Sequence, residues 1–198
     1  MINIMEYLNN AKEKAKIDRM TRKALSDKEL KRILGANTKV LLYPDLAKYE
    51  TVEELLPQPN DFAIILIVED ENRFNISGHW TVLLRYENTY EYFDPYGNPV
   101  DYDLINWMDK KQRVKLQENK KYLTYLLQGR THIYNRVRYE ELRKGVNTCG
   151  SHSAYRCYKF KKYGFTLSDY QQHMNTIRKN FSMSYDKIVA AFVSYFLQ

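Results

Sequence analysis

Apolar residues in the middle of the chain fall into short runs of strand length. The longest run, residues 62–68 (FAIILIV), has the length and the β-branched content of a buried strand. Polar groups at 69–72 and 87–88 indicate turns later in this region. The other segments that predict strands are residues 79–86, 89–93 and 131–139. The pattern therefore predicts a β-meander followed by one later strand.

Helical spacing of apolar residues occurs before and after this strand region. Near the start, Ile4 and Leu8 share one face with Ala11. Ser26, followed three residues later by an acid, has the form of a helix cap, and Gly35 indicates where that second helix ends. Further helices are predicted at residues 101–128, 149–163 and 185–196.

Helices on either side of a sheet predict an α+β fold, with a central, mostly antiparallel sheet flanked by helices. The chain has 198 residues, which is close to the size of one domain, and no linker or internal repeat interrupts it. We therefore expect a single domain over residues 1–198, in which residues 1–35 form a helical N-terminal extension.

Composition and charge narrow the classes of partner. Lys and Arg number 31 against 24 Asp and Glu, and the resulting formal charge of +7 makes DNA a candidate partner. Two cysteines are too few for a disulfide framework, which favours a reducing setting. No run is long enough for a membrane span, and the N-terminus lacks the apolar region of a signal peptide. We therefore expect a protein that is neither secreted nor inserted in a membrane.

Three reactive side chains stand at the ends of predicted elements. His79 begins one predicted strand and Asp94 ends the next, so that antiparallel pairing would bring the imidazole and the carboxylate together. Cys149 begins a predicted helix, where the amide dipoles favour a thiolate, and Gly150 leaves room for a substrate. The pattern predicts a cysteine nucleophile paired with an imidazolium.

The same residues lie in three short motifs: GHW at 78–80, FDPYG at 93–97 and NTCGSHSAYRC at 147–157. In this order the motifs resemble those of the adenain-like and ubiquitin-like-protein-specific cysteine proteases, over about residues 40–163. The resemblance implies papain-like chemistry on a polypeptide substrate.

Carried over residue by residue, the resemblance makes His79 the general base, Asp94 the group that orients it and Cys149 the nucleophile. It also implies that Trp80 lines a narrow substrate groove. The chain departs from the family at one point, because relatives carry a Gln before the Cys whose amide binds the oxyanion. Here Glu140 stands near that position, and the candidates for the donor are Glu140, which would have to be protonated, and Asn147.

An abundance of Lys, Asn and Tyr favours the viral branch of these proteases, of virophage or giant-virus type. The implied function is cleavage of capsid and core precursors during virion maturation, in the virion and in the viral factory of the host cytoplasm. The implied protein is a monomer that requires no cofactor, with DNA or a peptide as a candidate activator.

Two other functions remain open at this stage. One is a protease that removes ubiquitin-like modifiers, and the other is a non-enzymatic, basic, nucleic-acid-associated virion protein in which Cys149 belongs to the core. A metal site is not predicted, because His152 has no accompanying set of ligands at zinc spacing. Cys157, roughly two helical turns after Cys149, is predicted to be a core residue.

Overall fold

The computed structural model describes residues 11–71 and 76–197. Helices α1 (Ala11–Met20) and α2 (Asp27–Leu34) come first, and the prediction made for Ile4 and Leu8 lies outside the described residues. A reciprocal cap formed by Ser26 and Glu29 begins α2. Gly35 ends that helix at a φ of 114°, as its position in the sequence predicts.

Five strands form one mixed sheet in the order β1 to β5. They are β1 (Lys39–Leu42), β2 (Phe62–Glu71), β3 (Ile76–Arg85), β4 (Tyr90–Phe93) and β5 (His132–Tyr134). The three central strands pair antiparallel, whereas β1 joins β2 and β5 joins β4 in parallel. The predicted α+β class is confirmed, and the antiparallel part of the sheet is its centre.

Three strand predictions differ from the structure. Strand β3 begins at Ile76, so that His79 lies inside the strand and not at its start. The turn predicted at 69–72 lies too early, because β2 continues to Glu71 through an irregularity in register between Val68 and Asp70. The later strand is only three residues long, because the chain leaves the sheet at Asn135. The side chain of Asn135 bonds the backbone of Asp94 instead.

Several short helices connect the strands. A 3-10 helix (Tyr43–Lys48) and α3 (Val52–Leu55) link β1 to β2. The single helix predicted over 101–128 is wrong, because this segment forms α4 (Tyr102–Asn106), α5 (Lys110–Lys115) and α6 (Tyr122–Leu126). Left-handed backbone at Asp101 and Gln117, with φ values of 60° and 59°, interrupts the helical path.

The last third of the chain is helical, with α7 (Cys149–Tyr163), α8 (Leu167–Phe181) and α9 (Tyr185–Phe196). Helices α7 and α9 have the predicted bounds, and Gly164 ends α7 in left-handed conformation. Helix α7 packs against β3, and α9 packs against α1 and α7. This packing sets the start of α7 beside the central strands of the sheet.

Among the described residues, no helix combines the length and the apolar character needed to cross a membrane. The buried apolar residues, from Ile17 in α1 to Val193 in α9, form one continuous cluster. The helices of the N-terminal extension therefore contribute to the same core as the sheet.

Candidate active site

His79 lies within β3, opposite Ile67 of β2. A side-chain carbon at Gly78 would lie 2.0 Å from the Ile67 carbonyl oxygen, so only glycine fits immediately before the histidine. The imidazole is buried and stacks on the ring of Tyr96, with centroids 4.5 Å apart and an angle of 17° between the planes. The position and the orientation of the imidazole are therefore both fixed.

Asp94 follows β4 directly, and the turn after it holds its carboxylate. The Asp94 Oδ1 accepts a hydrogen bond from the Tyr96 amide at 2.8 Å, and Oδ2 accepts one from the Asn98 amide at 3.1 Å. The Asp94 amide donates to Asn135 Oδ1 at 2.8 Å. Gly97 completes the turn with a φ of 78°. The FDPYG motif therefore forms a turn that fixes the orientation of the buried Asp94 carboxylate.

The two side chains meet as the strand pairing predicts. His79 Nε2 lies 2.6 Å from Asp94 Oδ1. Burial lowers the pKa of His79, but the Asp94 carboxylate and the Cys149 thiol outweigh this effect and raise the pKa well above its ordinary value. Because Nε2 is engaged with Asp94, Nδ1 is the ring nitrogen left for Cys149.

Cys149 is the first residue of α7, and its thiol is free and buried. The Cys149 Sγ, a ring nitrogen of His79 and a carboxylate oxygen of Glu140 all lie within 4.8 Å of one another. The amide of a first helical residue has no acceptor inside the helix and can bind an anion. The structure thus brings His79, Asp94 and Cys149 together in the order acid, imidazole, thiol.

Comparison with known proteins adds one relative. No protein-family model matches the chain. Uncharacterized protein V9 of the Sputnik virophage is 29% identical to it over 157 residues, which cover 74% of this chain and 86% of that protein. The similarity therefore extends over most of both chains.

Glu140 is held in the loop before α7, where it is 1% exposed. Its Oε1 accepts a hydrogen bond from the Thr148 amide at 2.7 Å. Within the described part of the chain, its Oε2 has no hydrogen-bond partner. Burial raises the pKa of Glu140, while the nearby imidazoles and the Thr148 amide oppose that rise only in part.

The structure does not support Asn147 as the hydrogen-bond donor to the oxyanion. Its side-chain amide donates to the Arg22 carbonyl at 3.0 Å, and its backbone amide donates to the Thr21 carbonyl at 2.9 Å. The residue therefore ties the Cys149 loop to the segment between α1 and α2. Because its donors are engaged there, the assignment of Asn147 to the oxyanion is corrected.

Trp80 is likewise in a different place from the one its motif predicts. The side chain is only 6% exposed, and its indole N–H donates to the Leu25 carbonyl at 2.9 Å. A side-chain carbon at Gly150 would lie 3.0 Å from both Trp80 Cδ1 and Leu25 Cβ. Trp80 therefore supports the start of α7 and does not line the narrow substrate groove that the resemblance implies.

The exposed aromatic residue at the site is Trp107, which follows α4. Its ring lies 4.9 Å from that of Tyr96 and 6.0 Å from that of His79, and 40% of the residue is exposed. Leu104, Trp107 and Met108 have the i, i+3, i+4 spacing of one helical face. Leu104 and Met108 are buried, but Trp107 faces outward and is placed to contact a substrate beside the imidazole.

Asp103 is a second buried carboxyl beside His79, and no motif in the sequence predicts its place there. Its Oδ2 lies 3.9 Å from His79 Nε2, and its Oδ1 accepts a hydrogen bond from Asn98 Nδ2 at 3.0 Å. Burial and the charge of Asp94 raise the pKa of Asp103 to about 7, although His79 opposes the shift. The imidazole is therefore flanked by two carboxyl groups.

We expect the substitution Asp103→Asn to lower the pKa of His79. Above about pH 7 the ionised Asp103 helps to retain the proton on the imidazole, and the amide cannot. An NMR titration of the His79 ring should therefore show its deprotonation at a lower pH in the variant. Asp27→Asn removes the same charge from an exposed position on α2 and should not change the pKa of His79. An unchanged or raised pKa of His79 in D103N would contradict the role.

A buried ion pair joins α7 to β4, the strand that leads to Asp94. Arg156 of α7 donates from Nε to Glu91 Oε1 at 2.8 Å and from Nη2 to Oε2 at 2.6 Å, and both residues are fully buried. Nearer the site, Ser153 Oγ donates to the Trp80 carbonyl at 3.1 Å. These contacts hold α7 against β3 and β4, which carry the imidazole and lead to the carboxylate.

Cys157 and His152 of α7 are both buried. Cys157 is fully buried, and burial raises the pKa of its thiol, which agrees with the predicted core role. His152 is buried and lies 3.1 Å from Asp186 Oδ1 of α9 through Nε2. In the described residues, the groups that offer three metal ligands are His79, Glu140 and Cys149, and His79, Asp94 and Asp103. Both sets include the imidazole that is already bound to Asp94.

Proposed function

We propose that the protein is a cysteine endopeptidase whose nucleophile is Cys149. The observation that carries the proposal is the buried His79, which is bonded to Asp94 at 2.6 Å and lies beside the Cys149 thiol at the start of a helix. A raised pKa of His79 favours the imidazolium, and the unpaired amides of a helix start attract negative charge. These two preferences act on the same proton and support an ion pair ready for nucleophilic attack.

In the acylation step the Cys149 sulfur would bond to the substrate carbonyl carbon, and the electron pair of the C=O bond would move to oxygen. Collapse of this tetrahedral species breaks the C–N bond, and His79 gives its proton to the departing amine. Asp94 keeps the ring oriented and stabilises its positive charge. The product is a thioester on Cys149.

In the deacylation step a water molecule would attack the thioester carbonyl, and His79 would take its proton. The C–S bond then breaks, which releases a carboxylic acid and restores the thiolate and the imidazolium. The exposed Trp107 beside His79 offers an apolar surface for the substrate chain. The two steps consume one water molecule for each peptide bond.

We infer a viral polypeptide as the substrate, namely a capsid or core precursor cleaved during virion maturation. The similarity to a virophage protein over most of both chains supports a viral setting, which would be the virion and the viral factory of the host cytoplasm. The formal charge of +7 supports contact with DNA, and DNA would bring enzyme and precursors together.

The test of this function uses the full chain and the capsid precursors of its own virus. We expect site-specific cleavage, which mass spectrometry of the fragments would locate, and labelling of Cys149 by a peptide vinyl sulfone that matches the cleaved sequence. Rapid labelling by vinyl sulfones of ubiquitin-like modifiers, without cleavage of precursors, would instead favour deconjugation. If neither reaction occurs and Cys149 reacts no faster than a free thiol, the protein is not a cysteine protease.

A further inference from the structure

The wall of the site beside Cys149 carries a carboxyl group where an oxyanion would form. One Glu140 oxygen lies within 4.8 Å of the Cys149 sulfur and of a His79 nitrogen. Oε1 is occupied by the Thr148 amide at 2.7 Å, whereas Oε2 has no hydrogen-bond partner in the described ranges. An unpaired and fully desolvated carboxylate oxygen at this position is costly, and a proton on it removes the charge.

We propose that Glu140 is a catalytic residue that works as a neutral carboxylic acid, with its Oε2–H donating a hydrogen bond to the oxyanion formed on Cys149. This inference rests on the proposed function. It identifies the second donor, beside the Cys149 amide, that the reaction requires. The side-chain amide of Asn147 is directed to the segment between α1 and α2, where it donates to the Arg22 carbonyl at 3.0 Å, so Glu140 is the better-placed donor.

The charge balance favours the protonated state. An ionised Glu140 would repel both the Cys149 thiolate and the later oxyanion, whereas the neutral acid repels neither and can donate to the second. The acid keeps its proton throughout, so that only the hydrogen bond strengthens as the S–C bond forms and weakens as the C–N bond breaks. The proton for the leaving amine still comes from His79.

Groups from several elements face this carboxyl and influence its ionisation. The two imidazoles, His79 and His152, favour the ionised form, and Asp186 opposes it. The titratable groups that interact with it are His79 of β3, Tyr96 of the turn after β4, Cys149 and His152 of α7, and Asp186 of α9. Burial is the largest effect and raises the pKa of Glu140.

A dependence on pH follows from this arrangement. The donor is present while Glu140 is protonated and is lost as pH rises through its pKa. Above that pH the negative carboxylate also opposes formation of the oxyanion. We therefore expect acylation of the parent protein to fall off at a lower pH than acylation of a Glu140→Gln variant, whose amide donates at every pH.

The experiment compares two reagents on the Cys157→Ala background, in which Cys149 is the single thiol. Acylation by p-nitrophenyl acetate passes through an oxyanion, whereas alkylation by iodoacetamide displaces iodide and forms none. We expect E140L to lower the acylation rate by about 100- to 1000-fold. Its alkylation rate should stay near that of the parent.

E140Q separates the donor role from a structural one, because its amide can still accept from Thr148 while its NH₂ donates. We expect it to recover most of the acylation rate that E140L loses and to extend that rate to higher pH. The proposal is overturned if E140L acylates as fast as the parent, if E140Q is as slow as E140L, or if the pH limit of E140Q matches that of the parent. Slow acylation and slow alkylation of Cys149 in the parent itself would instead count against the protease function.

Discussion

Replacement of Cys149 by Ala should lower peptide cleavage by about 10⁴-fold or more, because the nucleophile of a catalytic triad has no substitute. The expected loss is large since every step of the proposed reaction passes through the sulfur. Initial rates of precursor cleavage measure it directly. The midpoint temperature of thermal unfolding should change little, because the substitution removes a single heavy atom from the first residue of α7.

The second cysteine provides the matched control. Cys157 lies on the same helix, is more deeply buried and takes no part in the proposed chemistry. Cys157→Ala should therefore keep the cleavage rate, although it creates a small cavity and lowers stability. Cleavage that survives in Cys149→Ala would reject the proposed function, whatever the outcome for Cys157→Ala.

Replacement of Arg156 by Met should destabilise the fold by about 3–5 kcal/mol, because Glu91 would keep a buried charge without its partner. Urea unfolding of the variant would measure the loss. The double variant Arg156→Met with Glu91→Leu removes both charges and should recover most of the lost free energy of unfolding.

An exposed ion pair serves as the control for this cycle. Arg130 bonds Glu53 at 2.7 Å, but both side chains are in contact with solvent. Removal of this exposed pair should lower the free energy of unfolding far less than removal of Arg156 from the buried pair. If the Arg156 single variant and the double variant unfolded at the same urea concentration, the buried pair would not be the anchor of α7 that its geometry indicates.

Local sequence signals predicted those parts of the fold that depend on neighbouring residues. The cap at Ser26 and both ends of the helix over 149–163 have the predicted positions. Helix α8 was missed because only Tyr170 and Met174 of its 15 residues are buried, which leaves too thin an apolar stripe to detect. The cap formed by Thr166 and Asp169 was the available signal.

Among the residues of the site, only those that lie in a recognisable motif could be predicted from the sequence. His79, Asp94 and Cys149 occur in distinct motifs and come together as expected. Asp103 had no such context, because its place 3.9 Å from the imidazole follows from tertiary packing that no local motif encodes. The exposure of Trp107 beside His79 could not be predicted either, since burial depends on packing between distant parts of the chain.

Both ends of the described chain contact the site, and this bears on when the proposed protease could first act during its synthesis. Asp186 of α9 accepts a hydrogen bond from Thr148, directly before the nucleophile, while Leu25 supports Trp80 and Gly150 from the other end. The site is therefore incomplete until residue 186 has left the ribosome. Under the proposed function, a nascent chain that already carries Cys149 but lacks residue 186 would not yet cleave the polypeptides being made around it.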